Sequence, residues 1–177
     1  MPALEQKKTH IERFLQYLNS HREDRGMMAD LRHGFSAATE YRAWPHLGPW
    51  CDLARDRDRH ILRVIGGGFA THGNTAAGVG NLGTTLRRLA LGDSRNEDGL
   101  RSFDGRFRRL LACAEAEEVC RLLPPLLRAA ERRSIPVDYA QLWRDLHYWG
   151  ERTRTSWAAG YWSGAQAAEG EAAGGEA

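Results

Sequence analysis

The sequence predicts an all-α protein made of two small packed helical lobes. Ala, Leu and Arg dominate its composition and β-branched residues are few, which favours helix. Apolar residues recur three and four positions apart in several segments, and no segment alternates for long enough to be a strand. With 177 residues and a hydrophobic content of 42%, the chain can fill the core of one domain or of two small ones.

The predicted organisation has three parts. Residues 1–95 form an N-terminal helical lobe that includes a glycine-rich loop over 66–83. Residues 96–163 form a C-terminal helical lobe. Residues 164–177 are of low complexity and contain no aromatic residue, so we expect a disordered acidic tail.

Helix start and stop signals divide the first lobe. Thr9 is a good N-cap, and Glu12, three residues later, completes a capping box. Turn residues and prolines delimit three further helices: one around 26–33 that ends at Gly34, one over 36–44 that ends at Pro45, and one that begins at Pro49.

The stretch 66–83 is rich in glycine and predicts a long, mobile loop. It contains a G-x-G-x-x-G pattern from Gly78 to Gly83, followed by a helical segment over 84–91. A dinucleotide-binding fingerprint needs a buried strand before the glycines. No residues with strand periodicity precede this pattern, so it does not predict nucleotide binding.

In the second lobe, a polar loop over 93–99 leads to a helix that begins near Ser102. Pro124 and Pro125 are expected to break or kink the helix that follows, which resumes over 126–133.

The stretch 137–162 predicts a long aromatic helix that starts at the N-cap Asp138 and carries four of the six tryptophans. Arg144, Tyr148 and Arg152 lie on the face opposite the tryptophans, with Arg154 on the flank. Guanidinium and phenol groups at this spacing suit a phosphate backbone with a base or sugar over the ring. A solvated outer face is the alternative.

Charge is unevenly distributed. Residues 1–163 hold 25 basic residues against 20 acidic ones, because the tail carries three Glu and no base. Arginine accounts for 23 of the basic residues, and the only lysines are Lys7 and Lys8. Arginine is suited to bidentate phosphate contact. A GC-rich genome would produce the same bias.

Several function classes lack their sequence signals. No apolar run reaches the length of about 18 residues that suggests a membrane span, and the N-terminus lacks a signal peptide, so we expect a cytoplasmic protein. The three cysteines predict free thiols. No grouping of side chains predicts a catalytic site, a metal site or a cofactor.

One family resemblance extends over most of the chain. The segment DYAQLWRDLHYWGERTRTSWAAGYW (138–162) resembles the C-terminal signature of the CasB family, the small subunit of the type I-E CRISPR complex Cascade. Four further pieces occur in CasB-like order: LRHG (31–34), YRAWPHL (41–47), GNLGTTLRRL (80–89) and RFRRLLAC (106–113).

This resemblance implies a non-catalytic, all-helical protein with two lobes. It further implies two copies that lie head to tail in Cascade, beside its backbone and large subunits, and that help to hold the guide RNA, the target DNA and the displaced strand. By position, eight arginines would contact nucleic acid: Arg32, Arg42, Arg87, Arg101, Arg108, Arg144, Arg152 and Arg154.

Two other functions remain open at the level of sequence. A helical adaptor or regulator could use the same arginines to bind an acidic protein partner. A small-ligand enzyme could be built on the glycine-rich loop.

Overall fold

The computed structural model describes residues 9–73, 78, 80–92 and 97–163, the side chain of residue 97 excepted. In this part of the chain every regular element is helical, which confirms the all-α prediction. The elements are α1 (His10–Ser20), α2 (Arg25–His33), a 3₁₀ turn (Glu40–Arg42), α3 (Trp44–Leu47), α4 (Asp56–His72), α5 (Leu82–Leu91), α6 (Glu97–Leu111), α7 (Ala116–Arg132), α8 (Tyr139–His147) and α9 (Glu151–Trp162).

Side-chain caps fix several helix starts. The capping box of Thr9 and Glu12 begins α1 as predicted, since each residue accepts the backbone N–H of the other. Asp138 caps α8 by accepting from the backbone N–H of Gln141 at 2.9 Å. Glu115 and Glu118 form a second capping box at the start of α7. These bonds satisfy backbone donors that a helix start leaves without intrahelical acceptors.

Helix α4 lies at the centre of the molecule, and residues 61–70 of it are all buried. It packs against α2, α7 and α8, while α5 packs against α6 and α9. Helices from both predicted lobes therefore contact one another. The division of the chain near residue 95 stays a prediction.

The predicted glycine-rich loop is wrong over its first seven residues, because 66–72 complete α4. Gly66, Gly67 and Gly68 are buried contact points: a Cβ built on them would lie 3.1 Å from Leu31, 2.8 Å from Phe35 and 2.5 Å from Tyr139. Helices can approach this closely only where no side chain intervenes. The three glycines therefore allow neighbouring parts of the chain to pack closely against α4.

The rest of the predicted loop is divided. Gly73 has φ +58° and ends α4 in the left-handed conformation. Residues 74–77 and 79 lie outside the described residues. The last two residues of the G-x-G-x-x-G pattern are the first two residues of α5, and Asn81 is the N-cap of this helix. The regular element before the pattern is the helix α4, whereas a dinucleotide-binding unit requires a strand there.

Helix α5 holds α9 through the α9 backbone. Asn81 Nδ2 donates to Ser156 O at 2.9 Å, and Arg87 Nη1 donates to Tyr161 O at 2.7 Å. Between them, the position of a Cβ on Gly83 lies 2.0 Å from Trp157 O, so the two helices touch with no side chain in between.

Helix boundaries expected at prolines are also wrong: α7 is not broken at Pro124 and Pro125, no helix begins at Pro49, and the chain before Pro45 is not an α-helix. Helix α7 runs unbroken from Ala116 to Arg132 with Pro124 and Pro125 inside it. Each proline removes an N–H donor, but the buried face of α7 packs against α4, and tertiary packing overrides local propensity. Before Pro45 the chain forms turns and the short 3₁₀ turn, and Pro45 itself lies in the first turn of α3. The expected helix over 36–44 is absent from these described residues.

The aromatic stretch 137–162 is two helices, α8 and α9. The break falls at Tyr148, Trp149 and Gly150. Arg144, Tyr148 and Arg152 therefore do not lie in one row on a single helix, as the sequence had suggested. Trp149 is half-buried, and its Nε1 donates to Cys113 O at 3.1 Å.

Asp145 connects the two C-terminal helices. Its carboxylate is buried and accepts from Trp157 Nε1 at 2.7 Å and from Gln141 Nε2 at 2.8 Å. Burial raises the pKa of Asp145 above its usual value, although both hydrogen bonds act in the opposite direction. Trp157 and Tyr161 are completely buried and anchor α9 in the core.

Other sequence expectations have simple outcomes. All three cysteines are unpaired thiols, as expected, and Cys113 and Cys120 are buried. No helix among the described residues is long and apolar enough to cross a bilayer. Over the same residues, His, Cys, Asp and Glu side chains form no group that could hold a metal ion. The acidic tail over 164–177 lies outside the described residues.

Candidate nucleic-acid interface

Three of the eight arginines expected to contact nucleic acid are bound to the backbone of the protein itself. Arg32 Nη1 donates to Ala70 O at 3.0 Å, and Arg87 Nη1 to Tyr161 O at 2.7 Å. Arg154 Nη2 donates to Cys113 O at 2.8 Å, and its guanidinium lies 5.6 Å from the centre of the Trp149 ring. Arg32 joins α2 to α4 and Arg87 joins α5 to α9, whereas Arg154 joins α9 to the loop between α6 and α7.

Three others are paired with carboxylates. Arg42 Nη2 lies 3.0 Å from Asp30 Oδ1, and Arg101 Nη2 lies 3.2 Å from Asp98 Oδ1. Burial acts to raise the pKa of Asp30, but hydrogen bonds from His46 and Arg42 outweigh it, and the pKa is lowered. The charges of these arginines are partly neutralised within the chain.

Arg108 belongs to a small cluster at the end of α9. Its Nε donates to Asp104 Oδ2, and its guanidinium lies 5.1 Å from the centre of the Trp162 ring. Trp162 Nε1 donates to Asp104 Oδ1 at 2.9 Å. Asp104 therefore holds both the arginine and the exposed tryptophan in place.

Arg144 and Arg152 are the two members of the predicted set left free for an outside ligand. Both are exposed, and neither hydrogen-bonds or ion-pairs with any described residue. Tyr148, between them in sequence, is 72% exposed. The α8–α9 corner thus presents two guanidinium groups and a phenol to solvent.

Helix α7 carries a row of arginines that was not predicted from the sequence. Arg121, Arg128 and Arg132 are spaced i, i+7 and i+11, which places them on one face of the helix. All three are exposed, and none lies within ion-pair distance of a carboxylate among the described residues. We call them the α7 ridge. The spacing could have revealed it, but the expected break at Pro124 and Pro125 concealed a continuous face.

The α7 ridge lies beside the C-terminal end of α2, the helix that contains Arg32. The Arg128 guanidinium lies 5.1 Å from the centre of the Phe35 ring, and Phe35 follows Arg32 by three residues. A row of guanidinium groups with an adjacent exposed arginine can follow a phosphate backbone, since each fork matches two phosphate oxygens.

Comparison with models of known protein families shows the family to which the chain belongs. The model for CRISPR-associated protein Cse2 matches residues 27–162, about three quarters of the sequence. The chain belongs to the Cse2 family. This is the family of the CasB-type small subunit of type I-E Cascade, so the resemblance seen in the sequence is confirmed. No curated protein matches the chain, and no solved structure does.

In this Cse2 chain the match covers α2 to α9 and so includes every arginine discussed above. Membership makes the chain a Cascade small subunit in CRISPR defence, which associates with other Cascade subunits. The arrangement of its arginines is the basis for assigning finer roles.

The Asp104 cluster predicts a pH-dependent contribution to the stability of this Cse2 chain. The hydrogen bond from Arg108 is the main cause that holds the pKa of Asp104 below 3.8; burial opposes it and Trp162 assists. Since the ionised form is favoured on folding, its stabilisation is complete above pH 3.8 and is lost as pH falls through the lowered pKa. Asp104→Asn should therefore cost under about 1 kcal/mol at pH 7 and less at pH 3.

Urea unfolding of the unmodified chain and of the Asp104→Asn variant, at pH 7 and at pH 3, measures the loss of stability at each pH. Glu131→Gln, an exposed change on α7, is the control and should be neutral at both. An equal loss for Asp104→Asn at pH 7 and pH 3 would show that the charge of Asp104 does not matter.

Proposed function

We propose that this chain is a non-catalytic Cascade subunit that binds the phosphate backbones of guide RNA, target DNA and the displaced strand, and so stabilises the R-loop. The observation that carries the proposal is the α7 ridge: three exposed arginines on one helix face, with no carboxylate partner among the described residues. Arg144 and Arg152 add two further free guanidinium groups at the α8–α9 corner.

Contacts of this kind are blind to sequence. Phosphates are the same at every position, so arginines that bind them fix the path of a strand without reading its bases. Specificity would come from pairing between guide and target. A handful of phosphate contacts binds weakly at cellular salt, and attachment to a larger complex supplies the missing affinity.

The other six predicted arginines divide into two proposed roles. Arg42, Arg101 and Arg108 can exchange an internal carboxylate for a phosphate and so remain proposed contacts. Arg32, Arg87 and Arg154 support the interface through the backbone bonds described above. From the family resemblance we further propose that two copies act head to tail in the cytoplasm.

Removing free arginines should flatten the salt dependence of target binding by the assembled complex. Arg144→Ala with Arg152→Ala should reduce the log–log slope by about two units, and a triple alanine variant of the α7 ridge by about three, because each phosphate contact contributes about one. The loss should be similar for every target sequence. Mobility-shift titrations over a series of salt concentrations measure both quantities.

A matched control removes two paired arginines. Arg22 and Arg55 are exposed and lie 3.8 Å and 3.7 Å from Glu23 and Asp58. Their double alanine variant changes net charge by the same amount as the Arg144 and Arg152 pair and should leave the slope unchanged. If the ridge and corner variants assemble normally and also keep the original slope, these arginines do not contact phosphate.

A helical adaptor that binds only protein is the competing function. After co-expression with the other Cascade subunits and a guide RNA, nuclease treatment separates the two. A small subunit in contact with nucleic acid should protect part of the bound strands from digestion, and an adaptor should leave the digestion pattern unaltered.

A further inference from the structure

A cleft of about 650 Å³ opens between α6 and α7 and is closed at one end by α5. Its floor is apolar, and three arginines stand at its edge. The lining residues used below are Leu89, Phe103, Leu110, Leu122, Leu126, Arg106, Arg109 and Arg133. The cleft uses a different face of α7 from the α7 ridge, about a quarter of a turn away at 100° per residue.

Among the described residues, the edge of the cleft carries positive charge only. Arg106, Arg109 and Arg133 are exposed, and none forms an ion pair within the described part of the chain. No Asp or Glu is among the described residues that line the cleft. Three guanidinium groups around one concavity attract anionic groups, and carboxylates match their bidentate geometry.

The floor favours aliphatic side chains over nucleobases. Bases bind to proteins by stacking on exposed aromatic faces. The one aromatic residue of the cleft, Phe103, is only 8% exposed, and the Arg106 guanidinium lies 5.7 Å from its ring centre. The remaining apolar lining is mostly leucine and alanine, with Pro125 and Gly99, which suits leucine, isoleucine or methionine side chains of a partner.

The length of the cleft matches a short helix. The α7 residues that line it extend from Leu122 to Arg133, which corresponds to roughly 16 Å at 1.5 Å per residue. That distance is about three helical turns, enough for apolar side chains at i, i+3 or i+4, and i+7.

We propose that this cleft binds an amphipathic, acidic helix of a partner protein, whose aliphatic side chains fill the floor while its carboxylates pair with Arg106, Arg109 and Arg133. The bound segment is part of another subunit of the complex. This inference goes beyond the proposed nucleic-acid function and can fail independently of it.

A pair of charge-reversal variants tests the proposal. Arg109→Glu with Arg133→Glu changes the cleft, and Arg13→Glu with Arg25→Glu makes the same charge change at two exposed arginines on α1 and α2. Each full-length variant is co-expressed with the other Cascade subunits, and the complex is captured on a tagged backbone subunit after nuclease treatment. Recovery of the cleft variant should fall roughly tenfold or more, because loss of a charge pair at an interface speeds dissociation.

The control variant on α1 and α2 should be recovered like the unmodified chain. Melting curves of both isolated variants must match that of the unmodified chain, since all four arginines are exposed. Equal recovery of the two variants would overturn the proposal.

Photocrosslinking supplies a readout that does not depend on charge reversal. A photoreactive residue replaces Ser102, which lines the cleft, or Asn19, which is exposed on α1 as a control. In the assembled complex, position 102 should crosslink to a segment that contains both acidic and aliphatic residues. Crosslinks from position 102 to nucleic acid, or none, would overturn the assignment of a protein helix.

Discussion

Replacing Glu40 with alanine is expected to cost about 3–5 kcal/mol of unfolding free energy, because it leaves two arginines without their shared carboxylate. Glu40 pairs with Arg63 through Oε2, and its Oε1 lies 3.6 Å from Arg59 Nε. Arg63 is 5% exposed, and its Nε already lacks a hydrogen-bond acceptor. Arg59 keeps Leu53 O and Asp56 as acceptors, so most of the loss falls on the buried charge of Arg63.

Chemical denaturation of the isolated chain measures this loss. Two variants show whether charge is the cause. Glu131→Ala removes an exposed carboxylate from α7 and should change stability by under about 0.5 kcal/mol. Glu40→Leu with Arg63→Met replaces the pair by apolar groups and should recover much of the stability, since buried ion pairs can be exchanged for packed hydrophobic residues at little cost. Wild-type stability for Glu40→Ala would show that the buried cluster does not stabilise the fold.

Gly83→Val should be the most damaging change in α5. A Cβ at this position would lie 2.0 Å from Trp157 O and 2.7 Å from its carbonyl carbon, and both atoms belong to the α9 backbone. Neither helix can yield by changing a rotamer, so α5 and α9 must separate. We expect a loss of about 3 kcal/mol or more, at the upper end of overpacking effects.

Gly105 provides the matched control for this prediction. It is an exposed helical glycine in α6, and a Cβ there would meet nothing within 4 Å. Gly105→Ala should stabilise the chain by up to about 1 kcal/mol, since alanine is the better helix former. Thermal melts of the two variants should therefore shift in opposite directions. If Gly83→Val melts close to the unmodified chain, α5 and α9 do not pack as closely as described.

Helix type, capping and the buried faces could be predicted from sequence because each depends on residues near one another in the chain. Thr9 and Glu12 are three residues apart, and the buried apolar residues of α1 recur within that one helix. The glycines of α4 were misjudged because their role depends on Phe35 and Tyr139, which contact them from the turn after α2 and from α8. Local propensity alone made the same residues look like a loop.

The candidate site was predictable only in part for the same reason. Arg87 and Arg144 both stand on the polar face of a helix in the sequence. In the fold, Arg87 reaches a carbonyl oxygen 74 residues away, and Arg144 reaches no described acceptor. Which arginines remain free for phosphate depends on the crossing of helices, and spacing along one helix does not encode it.

The contacts from α5 to the main chain of α9 have a consequence for evolutionary change in this protein. Asn81 and Arg87 bind carbonyl oxygens of α9, and Gly83 packs against one. Asn81 also donates to Ser156 Oγ at 3.0 Å, so substitutions on the exposed side of α9 other than at Ser156 leave this junction intact. Insertions are different. One extra residue in α9 would rotate everything after it by about 100° and carry Tyr161 O away from Arg87. During evolution α9 can therefore accept amino-acid substitutions on its exposed side far more readily than insertions or deletions.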